Sequence, residues 1–302
     1  MSCFHPIKGF RARKVGASGK RGIVFNTRDG FPDLPVSVPC GQCIGCRLER
    51  SRQWALRCVH EAQLHQDNCF ITLTYDDDHL PVDRSLNLEH FQKFMKRLRK
   101  RYGDGIRFFH CGEYGENFGR PHYHACLFNF DFSDRELWSV REGVRLYTSK
   151  SLQDLWTFGF STVGEVTFES AAYVARYVMK KVTGPSAEDH YIYVDEITGQ
   201  VYERKPGYVT MSRRPGIGKA WIDTYMDDVY PGDFVVLNGV KCRPPRFYDG
   251  VFERVCAHDA DEIKHGRVRR ARGHAFDNTS DRLEVREEVC LSRMGLLKRT
   301  LT

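Results

Sequence analysis

The alternation of apolar and polar positions is most regular between residues 70 and 184. It begins with FITLTY, residues 70–75, whose β-branched and aromatic side chains are typical of a buried strand. A helix over 88–102 follows, because apolar residues recur at helical spacing between the N-cap residue Asn87 and the terminating Gly103. This half of the segment therefore predicts a strand and then an amphipathic helix.

The second half of the segment predicts further strands and a second long helix. Residues 106–114 and 122–130 form two strands joined by a glycine-containing turn, and residues 160–167 form a third. A short helix lies around SLQDLWTF, and strong helix formers fill 169–183, which a Gly-Pro pair closes. The order β-α-β-β-α-β-α favours an α+β fold, an antiparallel sheet with helices on one face, of the ferredoxin-like kind.

The less regular flanking segments divide the chain into three predicted parts. Residues 1–65 are a basic arm and a Cys-rich helical segment, irregular to about residue 38 and helical over 45–65. Residues 66–185 are the α+β core. Residues 186–302 are a basic C-terminal extension with two short hairpins and charged, mostly helical segments.

Composition adds an expectation about partners and compartment. The formal net charge is +7 over 302 residues, which fits a partner rich in phosphate. No apolar stretch approaches the ~18 residues that span a bilayer, and the polar, basic N-terminus lacks the apolar core of a secretory signal. We expect no membrane partner and a reducing cytoplasm, where the eleven cysteines are thiols or metal ligands rather than disulfides.

Two histidines that alternate along a predicted strand are the first candidate for chemistry. In His122-Tyr123-His124 both imidazoles lie on one face of the sheet, where they can chelate a divalent ion. Antiparallel pairing would bring Glu113 alongside them, and Glu116 in the turn is the alternative carboxylate. Two imidazoles and a carboxylate suit Mg²⁺ or Mn²⁺ acting on a phosphate, with Zn²⁺ still possible. The alternative is a histidine pair that only packs in the sheet.

Two tyrosines provide a candidate nucleophile. Tyr173 and Tyr177 are four residues apart and project from one face of the predicted helix, with Lys180 and Lys181 near its edge. A phenol has a pKa of about 10, and a metal-bound phosphate and a lysine would both help it to lose its proton. The alternative is a tyrosine pair that packs on the sheet with its hydroxyls at the rim.

The segment Cys40-Gly-Gln-Cys43-Ile-Gly-Cys46 indicates a second, structural metal site. Cys-x-x-Cys in a glycine-rich turn resembles a zinc knuckle, and Cys58 or His60 could supply the fourth ligand to Zn²⁺. No second Cys-x-x-Cys pair follows, so reduced thiols packed in a turn are the alternative.

Basic clusters offer contacts for phosphates, and one stretch of sequence is favoured among them. RRPGIG combines two arginines with backbone amides that would suit an anion. The candidate cations are Arg47, Arg50, Arg52 and Arg57, the helix of residues 93–101, and Arg213 and Arg214. No G-x-x-x-x-G-K-[ST] motif is present, which predicts that the chain has no ATPase or helicase motor.

Three motifs in their order resemble those of the HUH endonuclease superfamily: FITLTYDD, CGEYGENFGRPHYHACLF and YVARYVMKK. PCGQCIGCRLERSRQWALRCVHEA and MSRRPGIG are in addition similar to replication initiators of the Microviridae, in the gokushovirus-like branch of these single-stranded DNA phages. The similarity runs from about residue 39 to 220, and the joint occurrence of all the motifs is highly specific.

The resemblance implies a role for each candidate residue of the core. The metal ligands, the nucleophiles and the lysine that often follows the tyrosine correspond to Glu113, His122 and His124, to Tyr173 and Tyr177, and to Lys180. Arg176 stands where the equivalent lysine would follow Tyr173, so the two tyrosines are chemically unequal and their order of action stays open.

The activity that the resemblance implies is the nicking and rejoining of one strand of phage DNA at the origin, through a 5′-phosphotyrosine intermediate that drives rolling-circle replication. The implied partners are single-stranded and replicative-form phage DNA and a host helicase, in the host cytoplasm. Two alternatives are a transposase or relaxase of the same superfamily and a non-catalytic, zinc-containing nucleic-acid-binding protein.

Overall fold

The computed structural model describes residues 3–17, 19–115, 119–141, 143–180, 191–195 and 198–296, without the side chains of 141 and 177–180. The chain divides into two compact units. The smaller unit contains Met1–Arg50 and Lys264–Lys298, and the larger contains Ser51–Ile263. The predicted division at residues 65 and 185 stays a prediction.

A seven-stranded sheet, antiparallel throughout, forms the centre of the larger unit. The strands are, in spatial order, Tyr208–Met211, Arg107–Tyr114, Pro121–Phe128, Asn68–Tyr75, Gly159–Gly164, Val144–Ser149 and Arg135–Arg141. The four predicted strands are confirmed, and the antiparallel α+β class with them. The edge strand Tyr208–Met211 and the hairpin of the last two strands add to the prediction.

Helices cover both faces of this sheet. Leu88–Tyr102 and Lys150–Leu155 pack on one face, and Ile44–Ala62 and Phe168–Lys180 contribute to the core on the other. The expectation of helices on a single face is therefore wrong.

The reason lies in the central strand Asn68–Tyr75, whose two alternating sets of side chains are both apolar. Ile71 and Leu73 are buried on the face of the helix Leu88–Tyr102, whereas Phe70 is buried on the opposite face. A strand that is apolar on both faces must be covered on both, because exposing either set to water would forfeit its burial.

The helix Leu88–Tyr102 has the bounds that its caps predict. The Asn87 side chain accepts a hydrogen bond from the backbone N–H of Glu89 at 3.0 Å, and the N–H of Gly103, at φ 102°, donates to the carbonyl of Arg99. Each buried side chain of its stripe stabilises the fold by about 1.5–3 kcal/mol. The stripe consists of Phe91, Phe94, Met95 and Leu98.

A three-stranded antiparallel sheet lies in the smaller unit, with Ile7–Val15 between Arg21–Val24 and Gly30–Val38. The prediction of an irregular arm to about residue 38 is therefore wrong. Most of these strand residues are exposed and register shifts interrupt the pairing, so no apolar alternation marks the strands in the sequence. Gly30 is required sterically, because a Cβ there would lie 2.5 Å from the Cβ of Phe10.

The remaining elements agree with the predicted hairpins and helices beyond residue 185. The hairpins pair Ile192–Val194 with Val201–Glu203 and Val235–Leu237 with Val240–Cys242. The α-helices are Lys219–Thr224, Met226–Val229, Arg246–Val255, Ala257–Arg272 and Ser280–Gly295, and Ala275–Asn278 is a 3₁₀ turn. Within the described residues, no helix is both long and apolar enough to cross a membrane.

Candidate metal and tyrosine site

Strand register brings the three predicted metal ligands of the core together. Glu113 in Arg107–Tyr114 is directly opposite His122 in Pro121–Phe128, and His124 lies one strand repeat further on the same face. Glu113 Oε1 is 2.9 Å from His122 Nε2 and 2.8 Å from His124 Nε2. The ligand atoms of all three residues lie within 4.8 Å of one another, which is a spacing that one metal ion can bridge.

Both imidazoles are oriented by a contact of the other ring nitrogen. His122 Nδ1 lies 3.0 Å from the backbone carbonyl oxygen of Arg120, which can only accept, so this nitrogen carries a proton. His124 Nδ1 lies 2.9 Å from the hydroxyl oxygen of Thr72. These contacts turn each Nε2 towards Glu113, as the outer-shell partners of metal-binding histidines do.

The carboxylate at the centre of this group is ionised in a buried position. Burial acts to raise the pKa of Glu113, but the hydrogen bonds and charges of His122 and His124 outweigh it and hold the pKa below its usual value. Glu113 therefore carries a negative charge at neutral pH, as a ligand to a divalent cation must.

Tyr173 reaches this group from the helix Phe168–Lys180. Its hydroxyl donates a hydrogen bond to Glu113 Oε1 at 3.2 Å, and its ring meets the His124 ring edge-on, with the centroids 5.0 Å apart. The guanidinium carbon of Arg176 lies 5.7 Å from the centre of the Tyr173 ring. Val174 and the small residues of this helix are buried against the sheet, which fixes the ring over the histidines.

Two of the predicted catalytic side chains lie outside the described residues. Tyr177 and Lys180 belong to the helix Phe168–Lys180, but the description of this part of the chain covers the backbone only. Lys181 and the alternative carboxylate Glu116 also lie outside the described residues.

The cysteine cluster forms with a fourth cysteine that the sequence analysis did not consider. Cys3 joins Cys40, Cys43 and Cys46, and the four sulfur atoms lie within 4.8 Å of one another. Cys3 gave no signal because it stands far from the Cys-x-x-Cys segment in the sequence.

The prediction of Cys58 or His60 as the fourth ligand is wrong. Cys58 lies more than three turns beyond Cys46 on the helix Ile44–Ala62 and is buried among apolar side chains. The His60 ring stacks on the Trp221 ring, with the centroids 3.7 Å apart, and its Nδ1 is 2.9 Å from the Tyr248 hydroxyl oxygen.

One of the arginines predicted to contact phosphates is buried instead. The Arg57 guanidinium lies 4.0 Å from the centre of the Trp54 ring and 3.9 Å from that of Phe247, and its Nε donates to the carbonyl of Ile217 at 2.9 Å. The basic helix Leu88–Tyr102 packs on the sheet face opposite Tyr173. Neither feature therefore faces the candidate site.

The RRPGIG loop keeps part of its predicted character. Arg213 and Arg214 are exposed, as an anion site requires. The Gly218 amide, however, donates to the buried Glu61 carboxylate at 2.6 Å, so this N–H serves the fold and cannot bind an external anion.

Comparison with known proteins agrees with these features. The family model described as replication-associated protein ORF2, or gene 2 protein, matches residues 68–182, which include the three ligands and both tyrosines. Replication-associated protein VP4 of Bdellovibrio phage phiMH2K is 36% identical over 265 residues, covering 84% of this chain and 78% of that protein. The chain belongs to this family of phage replication-associated proteins.

Two further members support the assignment. Replication-associated protein ORF2 of Spiroplasma virus 4 is 35% identical over 257 residues, covering 80% of this chain and 76% of that protein. Replication-associated protein ORF4 of Chlamydia phage 1 is 32% identical over 235 residues, covering 74% and 55% respectively. The resemblance to gokushovirus-like replication initiators is thereby confirmed, and no solved structure matches this replication-associated protein.

Proposed function

We propose that this replication-associated protein is the initiator endonuclease of rolling-circle replication, which cuts one strand of phage DNA and holds the cut end on a tyrosine. The proposal is carried by the 3.2 Å hydrogen bond from the Tyr173 hydroxyl to Glu113 Oε1. This contact joins a candidate nucleophile to the carboxylate of a three-ligand group in a protein of a replication family.

The donor set fits a divalent cation. When His122 is neutral, its proton is on Nδ1, so the Nε2 lone pair faces the Glu113 carboxylate at 2.9 Å and a cation between them would relieve the repulsion. Glu113, His122 and His124 would hold Mg²⁺ or Mn²⁺ and leave coordination positions open for phosphate oxygens. Such an ion, when bound, supplies positive charge that polarises the scissile phosphate.

The residues of the chain then supply the nucleophile and its proton path. The Tyr173 phenol proton already lies on a hydrogen bond to Glu113, and the Arg176 guanidinium near the ring favours the phenolate. Attack of the phenolate oxygen forms a bond to phosphorus and breaks the bond from phosphorus to the 3′ oxygen. The 3′ oxygen takes up a proton and leaves as a hydroxyl, while the 5′ phosphate stays on the tyrosine.

The second tyrosine gives the cycle its closing step. In this proposal Tyr177, with Lys180 beside it, cuts the regenerated origin after one round, and the new 3′-hydroxyl attacks the first phosphotyrosine to release a closed circle. The four-residue spacing of the tyrosines supports this arrangement. Each bond broken is matched by one formed, so joining needs no ATP. The partners would be single-stranded and replicative-form phage DNA and a host helicase, in the host cytoplasm.

A covalent-adduct assay tests the proposal. We would incubate the protein with Mn²⁺ and labelled fragments covering the single-stranded phage genome, and look for DNA that stays on the protein in denaturing gels. The wild type and a Tyr202→Phe control, changed in a hairpin outside the site, should form adduct. The double variant Tyr173→Phe/Tyr177→Phe should bind the fragments without forming it. No adduct with any fragment would favour a nucleic-acid-binding protein without catalysis, and adduct in the double variant would exclude these nucleophiles.

A further inference from the structure

Four cysteine sulfurs in the smaller unit have the spacing of a tetrahedral metal site. Cys3 Sγ lies 3.7 Å from Cys40 Sγ and 3.9 Å from Cys43 Sγ, and Cys46 completes a group within 4.8 Å. Zinc–sulfur bonds of about 2.3 Å in a tetrahedron put the sulfur atoms about 3.8 Å apart. A disulfide would need about 2.05 Å between sulfur atoms, so the group is not a set of disulfides.

Backbone amides point at these sulfurs. The N–H of Phe4 donates to Cys43 Sγ at 3.3 Å, that of Cys40 to Cys3 Sγ at 3.2 Å, and that of Cys43 to Cys40 Sγ at 3.3 Å. Such hydrogen bonds stabilise negative charge on sulfur and orient the ligands of a metal site. They are therefore the donors that a set of thiolates around a cation requires.

The strands of the smaller unit deliver the cysteines to one place. Cys3 precedes the strand Ile7–Val15 and Cys40 follows Gly30–Val38, and these strands pair with Ile7 opposite Val38. The ends of the two strands are thus adjacent. Gly41, at φ 77°, makes the turn that returns the chain to the remaining two cysteines.

The same unit has little apolar core to hold it together. Among its described residues the buried hydrophobic side chains are Cys3, Cys46 and Leu283. A small unit that buries so few side chains needs another source of folding free energy, and a structural metal is the usual one. Two of these three buried residues belong to the cysteine group itself.

We propose that Cys3, Cys40, Cys43 and Cys46 bind one structural Zn²⁺ as four thiolates, and that the ion stabilises the three-stranded sheet. All four positions are filled by protein ligands, so the site is closed and takes no part in strand cleavage. Cysteine thiolates select Zn²⁺ over Mg²⁺ and Mn²⁺, which prefer oxygen ligands. This site is separate from Glu113, His122 and His124 in its residues and in its metal.

Metal content of the purified full-length protein tests this site. Zinc measured by elemental analysis should be about one ion per chain in the wild type, and Co²⁺ refolded into the protein should give the visible absorption of a tetrahedral thiolate site. Cys3→Ser should lose most of both signals. The matched control Cys242→Ser, in a hairpin of the larger unit, should keep both, as should His122→Ala. Wild-type protein without zinc, or full zinc content in Cys3→Ser, would overturn the proposal.

A measurement on the wild-type chain covers the case in which Cys3→Ser does not fold. Iodoacetamide labelling of the zinc-loaded protein, mapped by mass spectrometry, should spare the four ligands and modify them after zinc is removed with a chelator. The buried Cys58 should be spared in both states, which reports that the larger unit stays folded. Equal labelling of the four cysteines with and without zinc would overturn the proposal.

Discussion

The Tyr173 hydroxyl donates a hydrogen bond to Glu113 Oε1, 3.2 Å away, although the two residues are sixty positions apart in the chain. The same carboxylate oxygen lies within 2.9 Å of the Nε2 atoms of His122 and His124. One oxygen atom thus links the candidate nucleophile to both candidate imidazole ligands. Substitutions around this atom give separable predictions.

Glu113→Gln should weaken the use of Mn²⁺ in adduct formation. The amide keeps the shape of the side chain but loses the negative charge that a divalent ion requires, so the Mn²⁺ concentration for half-maximal adduct should rise at least about tenfold. The adduct assay over a Mn²⁺ titration measures this, with the exposed Glu136→Gln as the control. An unchanged Mn²⁺ dependence in Glu113→Gln would remove this residue from the ligand set.

Thr72→Val should act in the same assay through His124. It removes the hydroxyl that lies 2.9 Å from His124 Nδ1, so the ring loses its orientation and metal affinity should fall about 10–100-fold. High Mn²⁺ should restore the adduct, and Thr72→Ser, which keeps the hydroxyl, should resemble the wild type. The exposed Thr148→Val is the matched control. A loss that high Mn²⁺ does not restore would argue against a positioning role.

Asn87→Ala should destabilise the larger unit by about 1 kcal/mol. The substitution leaves the N–H of Glu89 without the side-chain oxygen that accepts its hydrogen bond at the start of the helix. Urea unfolding followed by circular dichroism measures the change. The control is Gln92→Ala, an exposed position of the same helix, which should shift stability by a few tenths of a kcal/mol. Equal stability of the two variants would contradict the capping role.

His60 should make folding stability fall in mild acid. Burial lowers the pKa of its imidazole to about 4, whereas the unfolded chain takes up this proton at an ordinary value of about 6.5. The unfolded state therefore binds more protons between these values. The stabilisation is present above about pH 6.5 and is lost as pH falls through this window, by about 3 kcal/mol in total.

Unfolding free energies measured from pH 7.5 to about 4 in the wild type and in His60→Gln check this prediction. The variant loses the stacking on Trp221 and should be less stable at neutral pH, but its profile should be flatter. The exposed His258→Gln should follow the wild-type profile. Parallel profiles for His60→Gln and the wild type would assign the acid sensitivity to other groups.

Local features of this protein follow from the sequence by itself. The cap residues Asn87 and Gly103 set the ends of a helix because their hydrogen bonds reach only neighbouring residues. Alternation along a strand puts His122 and His124 on one face, and the short connection to the preceding strand fixes Glu113 opposite His122. Each of these features depends on a few covalently linked residues, so the pattern carries the information.

Only the tertiary structure decided which distant segments meet. Tyr173 contacts Glu113 and Cys3 joins Cys40 because separate elements pack together, and no periodicity encodes that choice. The same holds for Arg57, which looks like a phosphate ligand in the sequence and is buried between two rings. Local rules fix what a residue can do, whereas packing, which lowers the free energy of the whole chain, selects its partner.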